Sequence, residues 1–333
     1  VLAAQQAEAQ RRLPSEVRDY YAGGAGDEIS LHEAEPAWQD VRLHPRVLRD
    51  VATVDTSVEL LGHHLATPVL AGPTALHGLA NVEGEAATAR GVAAAGSLMV
   101  LSSRASRQPE LPPGPWWYQA YVLRDRSRTL TAAQLAAAAG ATAVVLTGDV
   151  PYLGARRGRT RHELQHPGDA GPADPGGEQD PSAGLDAVGQ LAEATGLPVL
   201  VKGVLRADDA LACLSAGAVG VVVSNHGGRQ LDRAVSSAAA LPEVATAVAG
   251  RGLVLVDGGI RSGLDVLCAL ALGADAVLLG RPILWALAAD SARGVEQCVR
   301  AMTDDLAAAM GLVGARTLAE VTPDLVHPPT GAR

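Results

Sequence analysis

Phenylalanine is absent from these 333 residues, and all aromatic residues together make up only 3 % of the chain. Cysteine is almost as scarce. The three present, Cys213, Cys268 and Cys298, lie far apart and form no Cys-x-x-Cys spacing. A disulfide framework and a thiolate zinc site are therefore excluded as organising features, and a reducing, cytoplasmic setting is expected. No apolar stretch reaches the ~20 residues a membrane span requires, and the opening "VLAAQQAEAQRRLP" has no apolar core of the signal-peptide kind. The net charge is −9, the sequence pI is near 5.5, and no run of Lys or Arg forms a stripe. Nucleic acid is thus excluded as the main partner, while small anions, which need only local positive charge, are not. We find no physical meaning in the missing phenylalanine; abundant Ala, Arg, Gly and Leu point to coding bias.

What is present is a large apolar fraction, 48 %, arranged in a repeat. A short apolar run ends in polar or glycine-rich residues and is followed by an Ala-rich amphipathic segment. The runs are "TPVLAGPTA" (67–75), "SLMVLSS" (97–103), "WWYQAYV" (116–122), "AVVLTGDVP" (143–151), "PVLVKGV" (198–204), "GVVVSNHGG" (220–228), "LVLVDGG" (253–259) and "AVLLGRP" (276–282). Unbroken apolar runs suit parallel strands covered on both faces. Helices are predicted over 83–95, 130–139, 184–195, 207–216, 235–248 and 263–272, several stopping at Gly. Between the second and third runs the connection "RQPELPPGP" leaves room for only a brief helix or none. Eight strands alternating with helices predict an α/β fold, a (β/α)8 barrel of one domain.

Residues 154–182, rich in Pro, Gly and charge without apolar period, break the rhythm. They predict a mobile lid after the fourth run, on the face where barrel enzymes do their chemistry. Residues 1–66 predict an N-terminal cap: a helix over 2–11, a second in "SEVRDYYAGGAG", and a hairpin in "SVELLGHHLA". From residue 283 to 333 one or two further helices are expected.

In such a barrel all C-terminal strand tips converge on one mouth. Here they deliver Thr74, Ala75, Ser102, Ser103, Gln119, Tyr121, Thr147, Asp149, Lys202, Ser224, His226, Asp257, Gly258, Gly259, Gly280 and Arg281. Eight polar tips together argue for a large polar ligand. "VDGGIRSG" and "LLGRPI" add glycines, Arg261 and Arg281 ahead of helices, a pattern suited to phosphate: main-chain N–H groups, helix N-termini and guanidinium charge combine. His226 suits a general base, with Asp149 as its carboxylate partner. Arg229 can grip a substrate carboxylate with a bidentate fork. No metal site is predicted; the adjacent His63 and His64 face opposite sides of the hairpin. Trp116, Trp117 and the three cysteines are read as packing.

"SNHGGRQLD" followed by "DGGIRSGLDVLCALALGADAVLLGRP" resembles the FMN-dependent α-hydroxy acid oxidase and dehydrogenase family, which includes glycolate-, lactate- and mandelate-oxidising enzymes. "LPSEVRDYYAGGAGDEISL", "PTALHGLANVEGE", "LSS", "YQAYVLRDR", "LTGDVPYLGARR" and "PVLVKGV" follow in family order, so the resemblance spans about residues 13 to 315. It implies FMN as cofactor and oxidation of an L-2-hydroxy acid to its 2-oxo acid. His226 is then the base and Asp149 its partner. Arg229, Arg156 and Tyr20 hold the substrate carboxylate, and Tyr121 sits near the substrate hydroxyl. Lys202 lies beside the flavin. Thr74, Ala75, Ser102, Gln119, Thr147 and Ser224 contact the ring system, and Asp257, Gly259, Arg261, Gly280 and Arg281 the ribityl and phosphate groups. A homo-oligomer, tetrameric by analogy, is implied as well.

Three departures from the family pattern bear on the substrate. Arg104 follows the Leu-Ser-Ser where relatives often carry a bulky aromatic. "TGDVP" leaves Gly148 and Val150 in place of larger or polar groups, and the lid lacks the usual apolar content. Gly148 and the reduced lid favour a mandelate-like aryl substrate; Arg104 either points to solvent or reaches the substrate's far end, where it would pair with a second anionic group or stack on a ring. Oxygen is the expected acceptor, with a dehydrogenase using another acceptor as the alternative. Two readings from other classes stand beside these: a flavin-free phosphate-binding isomerase or aldolase using Lys202 as a Schiff-base lysine, and a silent binding protein.

Overall fold

Runs such as "AVVL" and "GVVV" form strands because β-branched and leucine side chains pack on both faces of a pleated ribbon, leaving no reason for polar alternation. The computed structural model describes residues 1–106, 114–155 and 177–327. Three helices come first, α1 (Leu2–Arg12), α2 (Ser15–Ala22) and α3 (Ile29–Gln39), then a hairpin of β1 (Val58–Leu60) and β2 (His63–Leu65). The repeat follows as β3 (Val69–Ala71), α4 (Gly84–Ala94), β4 (Met99–Ser102), β5 (Trp116–Ala120), α5 (Arg126–Ala138), β6 (Val144–Thr147), α6 (Asp186–Thr195) and β7 (Val199–Val204). It continues through α7 (Ala207–Ser215), β8 (Gly220–Val223), α8 (Ser237–Val248), β9 (Leu253–Asp257), α9 (Gly263–Ala271) and β10 (Ala276–Leu279), and ends with α10 (Arg281–Val313).

β3 to β10 pair in parallel and close into a barrel, β10 pairing with both β3 and β9. Each expected run supplies one strand. Side chains pointing inward (Leu70, Val100, Trp117, Val145, Leu200, Val222, Leu255, Leu278) fill the centre, and Leu60 and Leu65 of the hairpin plug the end where the strands begin. His63 reaches Thr142 and His64 reaches Glu59, so the two rings do face different ways. Outward-pointing side chains meet the helices in the larger apolar layer. α1 and α2 pack through Ala9, Leu13, Val17 and Tyr21 against Leu284, Trp285 and Ala288 of α10. The cysteines are buried in that packing, and burial pushes the Cys213 thiol up to about 11 and those of Cys268 and Cys298 up to about 12.

The structure departs from the sequence expectation in three places. α5 begins at Arg126 rather than 130, because Asp125 caps it by accepting the Ser127 N–H at 3.1 Å. α10 changes direction at Asp290 and Ser291, whose backbone is non-helical, so both C-terminal alternatives meet in one interrupted element. α3 was not expected at all. It contains Pro36, and its cap residue Glu28 turns its side chain to the Gly24 N–H and not to the helix. Asp232, about two hundred residues further on, accepts the N–H groups of Asp27 just before the helix and of Ser30 in its first turn. Most of the expected lid and most of the "RQPELPPGP" connection lie outside the described residues. Among the described residues no helix is long and apolar enough to cross a membrane.

Candidate active site

At the C-terminal strand ends the barrel opens into a cavity of about 900 Å³. Of the expected residues, Tyr20, Thr74, Ala75, Ser102, Arg104, Tyr121, Lys202, His226, Arg229, Asp257, Gly259, Arg261, Gly280 and Arg281 line it together. Gln119, Thr147 and Ser224 lie beneath the wall instead. The Gln119 amide donates to Thr147 Oγ1 (2.9 Å) and its carbonyl accepts from Ser102 Oγ and the Ser103 N–H, both at 3.2 Å. Arg156 lies outside the described residues.

The opening question of chemistry is where protons and charge sit. His226 Nδ1 stands 3.0 and 3.2 Å from the two oxygens of Asp149. Burial alone would raise the Asp149 carboxyl, but His226 and Lys202 outweigh it and hold the group below the usual carboxylate range. An ionised carboxylate only accepts, so Nδ1 is the donor of the pair and Nε2 is left to face other partners. The backbone supports the pair. Gly203, at φ +104° where β7 slips register against β8, has no Cβ, and one there would lie 2.5 Å from the Asp149 side chain. His226 itself is left-handed at φ 59°, a conformation that costs about 1–3 kcal/mol and persists where the surroundings over-determine it.

Lys202 is the only lysine in the sequence. Its ammonium meets Asp257 Oδ2 at 2.9 Å and donates to Ser224 Oγ at 2.8 Å. Burial depresses its pKa, yet Asp257 and Asp149 more than compensate and raise it, so the charge is kept. Arg229 is a half-buried cation that meets no carboxylate among the described residues. It donates to the carbonyls of Tyr20 and Gly23, both at 2.8 Å, and lies 5.2 Å from the centre of the Tyr20 ring. Burial lowers its pKa; a guanidinium so placed remains charged and is a ready receptor for an anion. Tyr121, raised well above the usual tyrosine range by burial, stays a hydroxyl donor.

The loop arginines line the cavity and are also held by protein groups. Arg261 pairs with Glu35 of α3 at 2.9 Å, and Arg281 donates to the carbonyls of Tyr21, Gly227 and Gly23. The glycines also have a reason the sequence did not reveal. A Cβ on Gly259 would stand 2.1 Å from the Ala34 carbonyl, and one on Gly228 2.7 Å from Leu31 N, so both are glycine because α3 packs on their turns. Trp38 Nε1 donates to Gly258 O at 2.7 Å, completing that support. Gln230, also missed, clamps the chain beyond β6: its amide donates to the carbonyls of Asp149 and Tyr152 and accepts the Gly154 N–H. Its place in "HGGRQLD" was visible, but a glutamine's partners are set by tertiary contact alone. Arg104 lines the cavity and donates to Gly177 O at 3.0 Å.

A parallel barrel with a buried lysine and a His–Asp pair at one mouth, beside glycine-arginine turns, is built to bind a large anionic ligand next to a proton-transfer pair. Comparison with known proteins makes this specific. The FMN-dependent dehydrogenase family model matches residues 9–328. The chain is 39 % identical over 338 residues to the L-lactate oxidase of Nostoc sp., covering 93 % of each. It is 42 % identical over 328 residues to the 4-hydroxymandelate oxidase of Amycolatopsis orientalis, covering 92 % of each. Among solved structures, a mandelate oxidase variant with (S)-mandelic acid aligns with a TM-score of 0.93 at 40 % identity, covering 100 % of this chain and 99 % of the other. The chain belongs to the FMN-dependent dehydrogenase family. It is an enzyme, and FMN is its cofactor.

The cavity suits that cofactor. Its volume lies in the range of sites that enclose a cofactor with its substrate. Asp257 Oδ1 is buried with no partner among the described residues, and the N–H groups of Gly258 and Gly259 meet no acceptor there either. Such orphaned groups are costly unless a polar ligand satisfies them.

Proposed function

We propose that this enzyme oxidises an L-2-hydroxy acid to the 2-oxo acid with molecular oxygen as acceptor, and that its substrate is aryl and mandelate-like. The observation that carries the reading is the meeting, in one cavity, of a half-buried arginine with no carboxylate partner among the described residues and a histidine whose Nδ1 donates to Asp149. Arg229, with Tyr20 and Arg156, takes the substrate carboxylate and so fixes the α-carbon; positioning of this kind is worth up to several kcal/mol of barrier. Tyr121 binds the substrate hydroxyl. His226 removes one proton as the α-carbon is oxidised, and Asp149 stabilises the resulting imidazolium. Bound FMN would supply the acceptor for the hydride equivalent from the α-carbon, and with oxygen as final acceptor that hydride and the proton held by His226 would leave as hydrogen peroxide. Thr74, Ala75, Ser102, Asp257, Gly259, Arg261, Gly280 and Arg281 hold the cofactor, with Gln119, Thr147 and Ser224 stiffening the wall behind. Lys202 would offer its ammonium charge to the flavin, where it would favour negative charge on the ring.

An aryl substrate is supported by similarity to mandelate-oxidising proteins. Gly148 does not support it, since it does not line the cavity and a Cβ there would meet Val201 and the Lys202 carbonyl. A second reading, a substrate with a second anionic group, is favoured by Arg104 on the cavity wall. The deciding experiment is anaerobic bleaching of the bound flavin by hydroxy acids of varied side chain, followed by readmission of air. Fast bleaching by (S)-mandelate and fast reoxidation are expected. Bleaching confined to dianionic substrates would select the second reading, and slow reoxidation in air would select a dehydrogenase. A His226→Ala variant that bleaches at the parental rate would remove the base assignment.

A further inference from the structure

The motif "PTALHGLANVEGE" contains two buried groups that the chemistry above leaves unused, His77 and Glu85, exposed to only 1 % and 2 %. The His77 ring bridges two hydroxyls, with Nε2 2.6 Å from Thr74 Oγ1 and Nδ1 2.8 Å from Thr88 Oγ1. Burial pushes the imidazole below the usual histidine range, against the opposing pull of Glu85. A neutral ring donates one of these bonds and accepts the other, so the Thr74 hydroxyl is not a free rotor. One Glu85 oxygen accepts two main-chain N–H groups, those of His77 at 3.0 Å and Ser106 at 2.8 Å, and ties the turn after β3 to the turn after β4.

Between Thr74 and His77 lies Leu76, left-handed at φ 59° and ψ 47°. Its carbonyl accepts the Tyr21 hydroxyl, and its N–H donates to the Arg104 carbonyl at 3.1 Å. A leucine keeps such a conformation only where its neighbours leave no alternative, and conformations of this kind gather at functional sites. Thr74, Ala75, Leu76, Tyr21 and Arg104 all face the cavity. A core histidine serving stability alone has no need to end on a cavity-wall hydroxyl.

We propose that His77 and Glu85 are positioning residues of the flavin pocket: His77 fixes the Thr74 hydroxyl on the cavity wall, and Glu85 holds the turn that carries both. The test is a double-mutant cycle of His77→Phe and Thr74→Val in the holoenzyme, reading the flavin midpoint potential and the FMN dissociation constant. Each single variant is expected to weaken FMN retention about tenfold, the loss of one hydrogen bond, and to shift the potential in the same direction. The double variant should resemble Thr74→Val alone, and His77→Gln, which keeps a donor and an acceptor, should restore most of the parental values. Additive effects of the two substitutions would overturn the proposal, as would a His77→Phe variant with parental potential and FMN affinity. Where the Phe variant does not fold, His77→Asn takes its place in the same cycle. Neither readout needs substrate or oxygen, so failure of the substrate reading leaves this test unaffected.

Discussion

Asp149 shows how one residue ties chemistry to stability. Its folded-state pKa lies below its unfolded value because His226 and Lys202 favour the charged form more than burial disfavours it. The ionised carboxylate therefore stabilises the native state at every pH above the unfolded carboxylate value of about 4, and that contribution disappears as pH falls through the lower folded value. Asp149→Asn should flatten the acid side of the stability profile, measured by urea unfolding between about pH 2.5 and 5. The same variant should slow flavin bleaching by about 10²–10⁴, because Nδ1 loses its ionised acceptor and the imidazolium its counter-charge. An unchanged bleaching rate would detach Asp149 from the base. Residue identities at this scale were legible from sequence: His226, Asp149, Lys202 and Arg229 fall where the strand ends put them. The pairing of His226 with Asp149 was legible too, whereas the partners of Lys202 and Arg229 were not. Arg261 and Arg281 line the cavity, but that Glu35 and three carbonyls also hold their guanidinium groups could not be read from the sequence.

At the scale of elements, the eight strands were readable because continuous apolar runs and glycine stops are local signals. α3 was not, because what starts it is remote. Asp232 Oδ2 accepts the Asp27 N–H at 2.8 Å and Oδ1 the Ser30 N–H at 3.0 Å, so the carboxylate that caps the helix comes from the motif carrying His226. The helix in turn backs the turns of Gly228 and Gly259. Asp232→Ala should lower the denaturant midpoint through the loss of a cap. Gly259→Ala should cost more, since its Cβ would collide with the Ala34 carbonyl in a left-handed turn at φ +81°. Denaturant midpoints of the two variants rank them. An alanine at 259 that leaves stability intact would mean that α3 moves away easily and is not a rigid backing for the cofactor loops.

For the molecule as a whole, cofactor and fold are linked. The orphaned Asp257 oxygen and glycine N–H groups exist only in the closed barrel, so FMN binds the native state and stabilises it by mass action. At a free FMN concentration of a hundred times Kd the gain is about 2.7 kcal/mol if the unfolded chain does not bind. Denaturation midpoints should rise with the logarithm of FMN concentration; a midpoint independent of FMN would deny that these groups receive it. The barrel closure itself follows from the packing: inward side chains from eight strands fill the centre, and the hairpin leucines Leu60 and Leu65 seal the end opposite the cavity.

Periodicity, glycine stops and the residues at strand tips are properties of neighbours along the chain, and they alone determined the barrel and the chemistry gathered at its mouth. Which hydroxyl His77 holds, which acid receives Arg261, and which distant carboxylate starts α3 depend on groups far apart in sequence. Those pairings were decided only when the chain closed, because hydrogen bonds and ion pairs are set by distances that no linear pattern encodes.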